Sequence, residues 1–80
     1  MIDYNRMEKS GPKLKAALLR AKKVADPFQR LVAVKEACTL AVREWNVIGA
    51  WPDNWSLWQQ TLDDAAFAVR WPIQRLEDLE

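Results

Sequence analysis

Apolar residues recur along this chain at intervals of three and four, the spacing of an amphipathic helix and not the alternation of a strand. The first such stretch, from Pro12 to about Ala25, aligns Leu14, Ala17, Leu18, Ala21 and Ala25 on one face. Its opposite side is almost purely basic, with Leu19 as an exposed exception. The second stretch, from Pro27 to about Val47, carries a seam of Leu31, Val34, Cys38, Ala41, Trp45 and Ile48, with Lys35, Glu36, Thr39 and Arg43 toward water. The third, from about Asp53 to Trp71, is apolar on two sides. Trp55, Trp58, Leu62, Ala65, Ala66 and Val69 build one stripe; Leu57, Ala68 and Trp71, flanked by Phe67 and interrupted by Gln60 and Asp64, build the other. Gln59, Asp63 and Arg70 form the polar strip between them. A helix that is apolar on two sides needs cover on two sides. After Pro72 comes a short amphipathic tail whose Ile73 and Leu76, and at its end Leu79, face inward.

Proline and glycine punctuate these stretches. Ser10-Gly11-Pro12 reads as a cap with proline at the first helical position, where its missing N–H costs nothing. Asp26-Pro27 repeats the device with a better cap. Trp51-Pro52-Asp53-Asn54 supplies a turn and two capping residues, and Gly49 is the natural left-handed end of the second helix. No run alternates with period two, and no Asn-Gly or Asp-Gly pair marks a hairpin. Loops this short make neighbouring helices antiparallel. The expected fold is therefore all-α: a small antiparallel three-helix bundle with a short C-terminal helix or tail, one domain spanning residues 1–80. Residues 1–11 are expected as an N-terminal arm, whose first nine residues extend the first helix, form a separate turn or stay loose.

Size limits how such a bundle is stabilised. A chain of 80 residues buries only roughly 60–65% of its unfolded surface, so it depends on efficient packing, a second copy or a partner. The usual staples are missing: one cysteine, Cys38, makes no internal disulfide, and without histidine there is no zinc-site spacing. The buried-looking thiol suits a reducing compartment. The start, Met1-Ile2-Asp3-Tyr4, lacks a basic region followed by an apolar run, and no stretch reaches the ~18 apolar residues of a membrane span. A cytoplasmic protein with no membrane partner is expected.

Catalytic chemistry is hard to assemble from this inventory. The commonest general base is absent, Cys38 sits on an inward seam without a partner, and two isolated glycines build no phosphate loop. Asp63 and Asp64 are adjacent, but consecutive helical residues point about 100° apart and do not form a facing dyad. The expectation is a non-enzyme with no catalytic residues, no metal, no cofactor and no small-molecule substrate.

Two surfaces are candidates for binding. Residues 1–30 hold eight Lys/Arg against Asp3, Glu8 and Asp26, net +5, whereas residues 31–80 hold four against eight acids, net −4. The basic side of the first helix, Lys13, Lys15, Arg20, Lys22 and Lys23, is placed to neutralise phosphates of a nucleic acid, although a lysine-rich solvated face explains it with more weight. All five tryptophans lie in the second half of the chain. Trp45, Trp55 and Trp58 sit on the main stripes and are expected in the core; Trp51 and Trp71 suit core and interface equally. The second candidate surface is the outer stripe of the third helix with the turn before it: Trp51, Leu57, Gln60, Asp64, Phe67, Ala68 and Trp71. Large aromatics with a few polar groups make a protein-recognition patch, for a foreign protein or for a second copy in a homodimer.

The segment Trp51-Pro52-Asp53-Asn54-Trp55-Ser56-Leu57-Trp58-Gln59-Gln60-Thr61-Leu62-Asp63-Asp64-Ala65, with its W-P-D-x-W-x-x-W core, resembles segments of short helical proteins encoded by actinobacteria and their tailed phages. It covers about fifteen residues of the chain. The resemblance carries over no activity or site residue. It implies a small phage-like accessory protein in a bacterial cytoplasm, of the kind that binds and redirects a host protein.

Overall fold

The computed structural model describes residues 1–72 and 75–79. Three helices follow in order, α1 (Tyr4–Lys22), α2 (Pro27–Ile48) and α3 (Trp55–Val69), and a 3-10 helix, Leu76–Leu79, closes the described chain. No strand occurs among the described residues. α2 is the spine: α1 and α3 both pack along it and meet each other only sparsely. The backbone N–H of Asp3 donates to the carbonyl of Ile48 at 3.0 Å, which sets the start of α1 beside the end of α2 and makes the pair antiparallel.

α2 forms as its sequence dictates. The Asp26 carboxylate accepts from the Gln29 N–H at 2.9 Å, and Pro27 takes the first helical position. Gly49 ends the helix in the left-handed region at φ 89°, donating its N–H to the Trp45 carbonyl at 2.8 Å. A Cβ there would lie 3.2 Å from the Met1 carbonyl oxygen. Gly49→Ala is therefore expected to destabilise the fold by about 1–2 kcal/mol from the left-handed backbone alone. Urea unfolding checks this, and an unchanged midpoint would mean that the cap is not rigid. Arg30 closes the turn between α1 and α2, donating from Nε to the Val24 carbonyl at 2.7 Å and from Nη2 to the Ala25 carbonyl at 3.0 Å.

α1 corrects the expected boundary. It starts at Tyr4, eight residues before Pro12, and ends at Lys22, so Ala25 is exposed in the following turn. The first nine residues extend the helix, and the cap is Asp3, whose carboxylate accepts from the Arg6 N–H at 3.1 Å. Ser10, Gly11 and Pro12 lie inside the helix, where proline removes one backbone bond. The compensation is tertiary. Arg6 Nε donates to both oxygens of Glu44 on α2, at 2.8 and 3.1 Å, and Ser10 Oγ donates to Oε2 at 2.6 Å. The Ser10 hydroxyl and then the Arg6 guanidinium hold the Glu44 carboxyl below its ordinary value of 4.5. A carboxylate depressed in the folded state stabilises above its unfolded pKa, and that contribution is lost as pH falls below it. Glu44→Gln should lower stability at pH 7 by no more than about 1 kcal/mol, because Arg6 is half exposed. The gap between the two proteins should narrow as pH falls below 4.5 in denaturant titrations.

The core is one cluster. Val34, Ala37, Cys38, Ala41, Val42, Trp45 and Ile48 of α2 meet Leu18 and Ala21 of α1, Trp58, Leu62 and Ala65 of α3, and Leu76 of the 3-10 helix. Met7, Leu14, Leu31 and Leu79 pack at its margin. The seam of α2 is as expected, broadened by Ala37 and Val42. Thr61 is the one buried polar residue among the described residues; its hydroxyl donates to the Leu57 carbonyl at 2.8 Å and so reaches a partner within its own helix.

Candidate functional site: the outer face of α3 and its flank

α3 is shorter than its periodicity suggests. Asp53 and Asn54 form a turn before it, Asn54 makes no side-chain cap, and Trp71 lies beyond its end. The chain leaves the helix through Arg70 in the left-handed region at φ 58°, with the Arg70 and Trp71 N–H groups returning to the carbonyls of Phe67 and Ala66, both at 3.1 Å. This closing pattern satisfies two orphan carbonyls at a non-glycine position.

Around the helix the residues sort by angle. Trp58, Thr61, Leu62, Ala65 and Ala66 are buried. Leu57, Gln60, Asp64 and Phe67 are all exposed, within an arc of about 80° at ~100° per residue. Phe67 is 80% exposed and Trp71, just past the helix, 57%. None of the described residues of α1 or the tail seals this face: Leu76 packs into the core instead, and Ile73, expected beside it, lies outside the described residues.

Trp51 does not belong to that face. Its ring lies 5.2 Å from Trp45 at 42°, and it shares a cleft with Trp55 and Glu77 on the flank nearer the 3-10 helix. Trp55 sits about 160° around α3 from Leu57. Trp55 also departs from expectation. Rather than entering the core it is 46% exposed, because it stands at the first position of α3, at the edge of the arc that meets α2. Trp45 and Trp58 do form the core as expected, their rings perpendicular with centroids 5.3 Å apart. Gln59, expected in a polar strip, is half-buried and bridges: its Oε1 accepts from the Leu76 N–H at 2.9 Å and its Nε2 donates to Asp63 at 2.8 Å. Sequence reasoning missed Glu77 and this bridge; only a distance across seventeen positions reveals them.

The basic residues Lys13, Lys15, Arg20, Lys22 and Lys23 are all exposed, and none forms an ion pair among the described residues. They spread over about half the circumference of α1, with Lys13, Arg20 and Lys23 on one flank and Lys15 and Lys22 on the other. Lys13 also borders a groove of about 360 Å³ between α1 and α2 with Arg6, Arg43, Leu40 and Val47. A second groove, about 430 Å³, opens where α1 and α3 diverge, floored by Trp45 and Trp58.

The Cys38 thiol is wholly buried, and burial pushes its pKa up to about 12. Asp64 is solvated and Asp63 is engaged by Gln59. No cluster of metal-ligating side chains occurs among the described residues, and no described helix is long and apolar enough to cross a membrane. No family model, curated protein or solved structure matches the chain.

Proposed function

We propose that this chain is a small non-enzymatic protein-binding module, a phage-type modulator of a host protein working in a bacterial cytoplasm. It docks through the outer face of α3, with Leu57 and Phe67 as apolar anchors, Gln60 and Asp64 as polar contacts, and Trp71 at the end. The observation that carries the reading is the pair Phe67 and Trp71, 80% and 57% exposed at the C-terminal end of a face that nothing in the described chain seals. Exposed large apolar side chains interleaved with a few polar groups suit a contact surface, and aromatic residues dominate the energetics of such surfaces.

The test compares the wild-type chain with a Phe67→Ser/Trp71→Ser double variant in affinity purification from actinobacterial lysate, with and without nuclease. The expected result is one protein at stoichiometric yield, indifferent to nuclease and lost in the variant. Capture that the variant leaves untouched would move the contact elsewhere. Light scattering across concentrations gives the remaining outcome: self-association abolished by the same variant makes the partner a second copy of the chain. A second reading, nucleic-acid association, is favoured by the five exposed unpaired cations of α1. If all five engaged phosphates, doubling the salt would weaken binding about twentyfold.

A further inference from the structure

The cleft beside α3 has a chemistry that the outer face lacks. Trp51, Trp55 and Glu77 wall a space of about 270 Å³, just below the ~300–1,000 Å³ of small-molecule pockets and suited to a single side chain. The described residues that line it come from separately anchored segments. Trp51 is held by its ring contact with the buried Trp45. Trp55 opens α3, its N–H bonded to the Pro52 carbonyl at 3.2 Å. Glu77 follows Leu76, which is buried and tied to α3 through Gln59. The Glu77 carboxylate makes no ion pair among the described residues. Asp53, between the two tryptophans in sequence, and Asp78, beside Glu77, add negative charge, against Arg75 on the same segment.

Indole faces attract cations through their quadrupole, and a free carboxylate at the rim adds a directed partner. Guanidinium fits this pairing better than ammonium, because it is planar, weakly hydrated, stacks on aromatic rings and donates a fork to carboxylate. We propose that the Trp51–Trp55–Glu77 cleft receives an arginine side chain presented by a protein partner, the guanidinium stacking on indole and pairing with Glu77. The occupant rests on the proposed protein-binding role, but the cleft is tested independently of the α3 face.

The probe is N-acetyl-arginine methylamide, titrated to high millimolar concentration against the indole N–H signals of the whole chain. Its citrulline counterpart, neutral and of nearly the same shape, is the control. Saturable shifts confined to Trp51, Trp55 and the Trp45 ring behind them are expected with arginine and not with citrulline. Glu77→Gln and Trp55→Leu should each weaken the arginine response about two- to fivefold, while Phe67→Ser leaves it unchanged. Equal responses to arginine and citrulline, or shifts spread over all five indoles, would overturn the proposal. So would full binding in both cleft variants. Loss of partner capture in the Phe67→Ser/Trp71→Ser variant with an intact arginine titration would separate the two sites.

Discussion

Trp58→Ala should cost about 3–5 kcal/mol, the range for a buried large aromatic reduced to alanine. Trp58 is 2% exposed and its ring stands edge-on to Trp45, so truncation leaves a void at the junction of α2 and α3. A domain of this size has about 4–12 kcal/mol in total, so the variant would be marginal. A melting point lower by on the order of 15–25 °C is expected. Near-ultraviolet circular dichroism should also lose whatever signal arises from the perpendicular indole pair. Trp55→Ala is the control: with nearly half its surface already in water, it should cost far less. Equal losses from the two substitutions would mean that Trp55 contributes as much packing as Trp58, against its exposure.

The second large effect is expected at the end of the described chain. Leu76→Ala should destabilise by about 2–4 kcal/mol, a core-leucine value and not one for a frayed terminus. Leu76 is 1% exposed and packs within the common cluster, and its N–H is satisfied by Gln59 from α3. Gln59→Ala should reproduce part of the loss, about 1–2 kcal/mol, by leaving that N–H without its partner. Each is read as a shift in urea midpoint. If Leu76→Ala left the midpoint unmoved, the 3-10 helix would be an ornament on a three-helix core.

How much of this was legible beforehand depends on whether the deciding interaction was local. Asp26-Pro27 and Gly49 specify both ends of α2 with side chains and φ angles a few residues away, and the expected ends match within one residue. Ser10-Gly11-Pro12 carries an equally good local signal for a helix start, and it misleads. The competing terms are Asp3, whose capping role was readable, and Glu44, whose contacts with Arg6 and Ser10 span thirty-eight and thirty-four positions and were not. The seam of α3 was visible in its spacing, but spacing alone does not say where a stripe stops being covered. Trp55 fell on that uncovered end. The outer face of Leu57, Gln60, Asp64 and Phe67 was readable because four exposed positions on one arc need only helical geometry. The grouping of Trp51 and Trp55 with Glu77 needed the tail to fold back, which no local pattern announces.

Cys38 offers a practical consequence. With its sulfur sealed in the middle of α2 and its thiolate suppressed, an alkylating reagent can react only during rare excursions in which the fold comes apart. When reclosing is faster than modification, the labelling rate is the free-thiol rate scaled by the open fraction, and each tenfold slowing corresponds to about 1.4 kcal/mol. The native sequence thus contains its own stopwatch for global opening, readable by mass without denaturant or an added label.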